Sequence, residues 1–297
     1  MGSGTWSSDA YRTIKTSYAT KTTDDIFTSS SLTKDMSPIG VDFRESRDSV
    51  EHPESLALIV GLDVTGSMGA IPENLVRGKL GTIMETVIKY GVAHPQIMFM
   101  GLGDQDADRA PLQVGQFESE TTLVNSWLSK IYLEGGGGGQ TCESYQLAWL
   151  FGSRHTSIDC FEKRGIKGFL FTIGDEGVWD KLTEENLKQI MGYTKTEPVT
   201  TKQLLKEVQR TYHVFHIAVN NSAHIDDWKK LLGERLLILD DYQAVAELIA
   251  STVAVMHGID LKTVTSTFDS KTAKLVTNAL AKVTTDVAKS SKGIVNI

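Results

Sequence analysis

Five oxygen-bearing side chains of this 297-residue chain follow apolar or glycine-rich segments, at points where strands or loops are expected to end. Carboxylate and hydroxyl oxygens are the ligands that a hard divalent cation prefers, and Mg²⁺ keeps several of its waters when it binds protein. We therefore expect one Mg²⁺ site, with Mn²⁺ and Ca²⁺ as alternative ions. The five expected ligands are Asp63, Thr65, Ser67, Thr141 and Asp175.

Neighbouring residues offer alternatives for two of these positions. Glu143 or Ser144 could replace Thr141, and Glu176 competes with Asp175. Asp104 is a further contributor to consider, because it closes the apolar segment that precedes it. Together with two following aspartates it also fits a solvated acidic loop, which is the simpler interpretation.

The elements that must position these side chains alternate short apolar runs with longer amphipathic ones, which is typical of βα units. The connection between the second and third expected strands is too short for a crossover helix, so we expect the third strand to be antiparallel. The sequence predicts an α/β fold: a doubly wound, mostly parallel six-stranded sheet with one antiparallel edge strand and helices on both faces. The six expected strands are Leu56 to Leu62, Ile97 to Leu102, Leu112 to Phe117, Gly168 to Ile173, Tyr212 to Val219 and Leu236 to Leu239.

The spacing of Asp63, Thr65 and Ser67 after the first strand resembles the von Willebrand factor A fold with its metal-ion-dependent adhesion site, in its intracellular bacterial or phage form. The resemblance covers about Leu56 to His257. It implies that these three residues are first-loop ligands, that Thr141 is the second-loop ligand and that Asp175 is the second aspartate. The chain departs from the family pattern at Gly174, because the family often has the sequence Thr-Asp-Gly at the end of this strand.

The resemblance implies a non-enzymatic protein-interaction module, in which a partner's Asp or Glu completes the coordination of the metal. Implied partners are an AAA+ ATPase or subunits of a large assembly. One alternative is a structural subunit of a particle that uses its termini for contacts. A Mg²⁺-dependent phosphohydrolase with Asp63 as nucleophile is disfavoured because Thr65 stands where the acid/base aspartate is needed. A phosphate loop is excluded by Gln140, which stands where a lysine is required.

Composition, charge and cysteine content give expectations about the domain organisation, the class of partner and the location of the protein. We expect three regions: a Ser/Thr-rich extension over residues 1–54, the sheet domain over 55–260 and a helical tail over 261–297. The formal charge of −7 argues against nucleic acid or an anionic membrane as the main partner. The two cysteines form no disulfide pattern, and no signal-like apolar segment is present. We therefore expect a cytoplasmic protein, free or incorporated into a phage or other particle.

Overall fold

The computed structural model describes residues 4–92, 94–135, 141–219 and 222–292, without the side chains of residues 67 and 284–292. Twelve strands are present in this part of the chain. They are β1 (Arg44–Ser46), β2 (Ser55–Asp63), β3 (His94–Leu102), β4 (Leu112–Val114), β5 (Cys142–Glu143), β6 (Thr156–Ile158), β7 (Gly168–Gly174), β8 (Gly177–Val178), β9 (Lys181–Leu182), β10 (Val199–Thr200), β11 (Tyr212–Val219) and β12 (Leu236–Leu239).

Six of these strands form the central sheet in the order β12-β11-β7-β2-β3-β4. Every pairing is parallel except that of β3 with β4, which is antiparallel. All nine residues of β2 and all seven of β7 are buried, as expected for strands that are covered on both faces. The predicted fold class and the antiparallel edge strand are confirmed.

Thirteen α-helices surround the sheet in the described part of the chain. They are α1 (Ser8–Tyr18), α2 (Thr23–Ile26), α3 (Ala70–Asn74), α4 (Leu80–Lys89), α5 (Thr121–Ser129), α6 (Gln146–Arg154), α7 (Asp159–Glu162), α8 (Glu184–Met191), α9 (Thr201–Val208), α10 (Ile225–Leu232), α11 (Val245–Met256), α12 (Leu261–Thr265) and α13 (Ser270–Lys292). A π-helical segment, Leu75–Lys79, joins α3 to α4.

Helix packing divides these elements into two layers. Helices α4 and α11 pack against each other in one layer, and α6 packs against α9 in the other. Local sequence signals set several helix ends. For example, α8 begins with a capping box between Thr183 and Asn186 and ends at Gly192, whose φ of 72° suits glycine. None of the described helices combines the length and the apolar character that a membrane crossing requires.

The N-terminal extension packs along the sheet domain from its first described residue. The Tyr11 ring fills a notch at Gly81, where any Cβ would overlap the ring. The Met36 carbonyl accepts a hydrogen bond of 2.8 Å from Val114 N on the edge strand β4. Further along, β1 pairs in parallel with β6. The described part of the extension, residues 4–54, is therefore packed on the sheet domain, and we call it the N-terminal wrap.

Candidate metal centre

Asp63 and Thr65 form the centre of the candidate site, at the carboxyl end of β2. Asp63 Oδ1 accepts hydrogen bonds from Thr65 N at 2.9 Å and from Thr65 Oγ1 at 2.7 Å. Asp63 is only 1% exposed to solvent, and Thr65 is also buried. The turn after β2 therefore holds the carboxylate rigidly, beside a hydroxyl that still has lone pairs available to a cation.

Glu143 enters this site from β5, on a different part of the chain. Its Oε1 lies 3.3 Å from Thr65 Oγ1. The hydroxyl has a single proton and can donate to only one of the two carboxylates at a time. Glu143 Oε2 is buried and has no hydrogen-bond partner among the residues that the structure describes, and Glu143 is only 6% exposed. The structure thus brings Glu143, one of the alternatives to Thr141, into contact with Thr65.

Burial and neighbouring acids make this centre strongly electronegative. Burial raises the pKa of Asp63 to about 6, and the nearby charge of Asp175 adds to the effect. Burial, followed by the charges of Asp63, Asp108 and Asp104, raises the pKa of Glu143 to about 9. Within the described residues, no lysine, arginine or histidine forms an ion pair with either Asp63 or Glu143. A bound cation would compensate both carboxylates.

Tyr145 is a member of the centre that sequence reasoning missed. Its hydroxyl donates a hydrogen bond of 2.7 Å to Asp63 Oδ2, and its ring is packed edge-on against His216 and Trp228. A Cβ at residue 174 would overlap this hydroxyl and lie 2.8 Å from Asp63 Oδ2. The glycine at the departure from the family pattern therefore makes room for Tyr145. The departure from the family pattern at Gly174 was the sequence signal that could have indicated this contact.

The other expected ligands have different outcomes. Asp175 lies in the turn directly after β7 and is close enough to Asp63 to affect its pKa. Thr141 is exposed, and its carbonyl accepts a hydrogen bond from Gly177 N at 3.1 Å. Ser67 belongs to the 3-10 turn Gly66–Gly69, but its side chain lies outside the described part. Most of the glycine loop, residues 136–140, also lies outside it. Metal ligation by these residues stays a prediction.

The remaining alternatives make protein contacts. Ser144 Oγ accepts a hydrogen bond of 2.7 Å from Gln105 N, and Glu176 Oε2 lies 3.4 Å from His224 Nε2. Asp104 Oδ1 accepts from Asp106 N and Ala107 N. Its Oδ2 accepts from Trp179 Nε1 at 3.0 Å. Asp104 thus caps the loop after β3 and fixes a tryptophan, which is a structural use of its carboxylate.

The donor set fits a hard cation that keeps waters. No group of three or more His, Cys, Asp or Glu side chains among the described residues is placed to hold a metal ion. Any cation here would therefore need hydroxyl and water ligands beside the carboxylates, as Mg²⁺ accepts. The unpaired Glu143 Oε2 offers a free ligand atom. The centre lies at the carboxyl ends of the neighbouring parallel strands β2 and β7. The chain first adds β3 and β4 on one side of β2 and later adds β7 on the other, and open α/β sheets bind ligands where the strand order switches in this way.

No model of a known protein family matches the chain, and no curated protein sequence matches it. Solved structures do match. The pilus adhesin SpaC from Lactobacillus rhamnosus GG is 12% identical with a TM-score of 0.46, over 70% of this chain and 31% of the adhesin. Proximal thread matrix protein 1 from the mussel byssus is 6% identical with a TM-score of 0.43, over 70% of this chain and 48% of that protein.

A von Willebrand factor type A protein from Catenulispora acidiphila is 12% identical with a TM-score of 0.37, over 68% of this chain and 42% of that protein. This chain thus spans less than half the length of each of these three proteins.

Proposed function

We propose that this chain is a non-enzymatic, Mg²⁺-dependent protein-interaction module that binds an acidic residue of its partner. The observation that carries the proposal is the buried contact of Asp63, Thr65 and Glu143 with an unpaired carboxylate oxygen and no basic partner among the described residues. A protein that buries two carboxylates in this way gains stability when it binds a cation.

In this proposal Asp63, Thr65 and Glu143 hold the cation, with Asp175 acting through water and with Ser67 and Thr141 as further ligands. The bound cation supplies a positive charge with an exchangeable position that a carboxylate oxygen of the partner can occupy. The chain's own residues do the rest. Thr65 and Tyr145 fix the Asp63 carboxylate from both sides, and the loops after β2, β3 and β7 determine which partner segment can approach.

Candidate partners are an AAA+ ATPase or subunits of a large assembly. We propose binding rather than catalysis, because Thr65 stands at the position where a phosphohydrolase with Asp63 as nucleophile needs an acid/base aspartate. In the alternative, the chain is a structural subunit that makes contacts through its termini. No observation favours it, since the described parts of both termini pack on the sheet domain itself, where Val276 and Leu280 are buried.

Two measurements on the full chain test the proposal. Isothermal titration with MgCl₂ should show one site in the wild type and at least tenfold weaker binding in Asp63→Asn. The matched control is Asp42→Asn, because Asp42 is exposed. Affinity capture from lysate should then recover a partner in Mg²⁺ that is lost both in EDTA and with Asp63→Asn. Capture that is unchanged in EDTA and in the variant would remove the proposal.

A further inference from the structure

A cavity of about 750 Å³ lies beside the candidate metal centre, on the same edge of the sheet. It is enclosed by the turn that contains β8, the start of α9 and the length of α10. Its apolar wall consists of Val178, Trp179, Trp228 and Leu231. A cavity of this volume is typical of a specific ligand site. It has no part in the candidate metal centre described above.

The two tryptophans of the wall are fixed by their ring nitrogens. Trp179 Nε1 donates to Asp104 Oδ2 at 3.0 Å, and Trp228 Nε1 donates to the Glu176 carbonyl at 2.9 Å. The Trp228 ring also stacks on His216, with the ring centroids 3.6 Å apart. Trp228 is only 1% exposed and forms the base of the cavity, so the partly exposed Trp179 is the indole that a flat group can contact. Its ring is held in place before any ligand arrives, which lowers the entropy cost of binding.

The charged groups around the cavity balance one another. Lys230 Nζ lies 2.8 Å from Asp227 Oδ1, and the lining contains one further lysine, Lys202, and one further aspartate, Asp180. His224, which also lines the cavity, lies 3.4 Å from Glu176. A lining of indole and aliphatic carbon with two lysines and two aspartates favours a neutral ligand group, because these side chains offer no net charge to compensate an ionic one.

The cavity and the metal centre share one thin wall. Successive residues of a strand point to opposite sides, and in the two-residue strand β5 Cys142 lines the cavity while Glu143 contacts Thr65. Asp104 forms a second link, since it holds Trp179 and also raises the pKa of Glu143. A single extended segment of a partner could thus reach both places.

We propose that this cavity binds a neutral aromatic side chain of the partner, close to the acidic residue that the metal centre receives. The inference rests on the proposed function for the identity of the partner. The aromatic group would insert between Trp179 and Leu231, above the buried Trp228, and the cavity would supply the specificity that a metal–carboxylate contact alone lacks.

Cys142 provides a direct measurement of occupancy. The chain has two cysteines, and Cys160 is completely buried, so alkylation of the folded protein reports on Cys142. We expect N-acetyl-tryptophanamide to slow the reaction of Cys142 with iodoacetamide at pH 8.5 at least fivefold. Half-protection should come at about 0.1–1 mM, as expected for a ligand of this size. An alkylation rate that does not respond to the amide would overturn the proposal.

Two variants separate occupancy of the cavity from unspecific effects. Leu231→Glu and Val178→Glu each place a charge in the apolar wall at a half-exposed position, so both should fold and both should lose the protection. The control Ile238→Glu changes an exposed residue outside the cavity and should keep it. Protection that survives in both wall variants would contradict the assignment.

A last experiment separates ligand binding in the cavity from the Mg²⁺-dependent function. Protection by N-acetyl-tryptophanamide should be the same in Mg²⁺ and in EDTA. Short peptides that carry both Asp and Trp should protect at tenfold lower concentrations, in Mg²⁺ only. If the amide protects but the peptides gain nothing from Mg²⁺, the cavity site stands and the metal-centred function fails. If the amide does not protect, the cavity proposal fails whatever Mg²⁺ does.

Discussion

At the scale of single residues, Glu143 ties the chemistry of the centre to the stability of the chain. Burial beside Asp63 keeps the Glu143 carboxyl protonated in the folded chain up to about pH 9, whereas the ordinary value is 4.5. Between these two pH values the folded state binds more protons than the unfolded state. The contribution of Glu143 to stability therefore decreases as the pH rises through this window.

Glu143→Gln removes this titration and keeps the size of the side chain. In EDTA we expect the variant to melt at least about 3 °C above the wild type at pH 8. It should gain less at pH 5, because the Glu143 carboxyl of the unfolded wild type is already partly protonated there and folding takes up less of a proton. Differential scanning calorimetry at the two pH values measures this. Glu54→Gln, at an exposed position, is the control and should shift neither value. A gain that is larger at pH 5 would contradict the argument.

The pair Tyr145 and Gly174 gives a second prediction. Gly174→Ala adds a Cβ that overlaps the Tyr145 hydroxyl, so we expect a loss of more than about 3 kcal/mol of folding free energy. Tyr145→Phe alone should cost about 1–3 kcal/mol, because Asp63 Oδ2 loses its donor. In the double variant the hydroxyl is absent, but the ring carbon Cζ still lies 2.6 Å from the added Cβ. Only part of the overlap is relieved, so the two losses should sum to somewhat more than the measured one. Urea unfolding of all four proteins gives the coupling, and strict additivity would contradict it.

Whether the sequence predicts a contact of the candidate site depends on how far apart the two residues are along the chain. Asp63 and Thr65 are two residues apart at a strand end, and their contact is local, so a motif finds them. Tyr145 reaches Asp63 across 82 residues, and Glu143 reaches Thr65 across 78. Such contacts depend on how the loops pack, which local patterns do not encode, so Glu143 was one alternative among several and Tyr145 was absent.

At the scale of elements, the pattern of apolar residues predicts the strands of the central sheet. It does not predict the helix ends, whose positions depend on tertiary contacts. All six expected strands are present, because each is an apolar run that the sheet buries. Helix α6 begins only at Gln146, because Cys142 and Glu143 pair with β8. The apolar residues of the π-helical segment and of α4 are buried up to Val87, whereas Ile88 is exposed.

The π-helical segment is tied to the last helix of the sheet domain by an ion pair, which yields a third prediction. Lys79 Nζ lies 2.5 Å from Glu247 Oε1, and the Glu247 side chain is only 7% exposed. Lys79→Ala would leave this buried carboxylate without its cation, so we expect a loss of about 2–4 kcal/mol in urea unfolding. Lys188→Ala breaks the exposed pair with Glu184 and should cost no more than about 0.5 kcal/mol. Equal losses would mean that Glu247 finds another partner.

At the scale of the whole molecule, the question is whether the N-terminal wrap folds as part of the sheet domain. Its composition, rich in Ser and Thr with scattered aromatic residues, does not reveal α1 or the contacts of Met36. The structure gives the wrap two buried anchors, Tyr11 at Gly81 and Met36 beside the edge strand β4. The wrap also covers that edge, which would otherwise be open to pairing with other chains.

Met36→Ala tests this integration. The side chain is completely buried, so its truncation should lower the free energy of unfolding by about 2–4 kcal/mol, and a cooperative fold would lose that stability throughout. Lys34→Ala, two residues away and exposed, should cost less than about 0.5 kcal/mol. Hydrogen exchange read at β2 and β7 decides the matter. If the wrap and the sheet fold together, protection of both strands falls with Met36→Ala. If the wrap is a separate arm, their protection remains at the wild-type level, and residues 1–54 can then be removed without loss of the candidate metal centre.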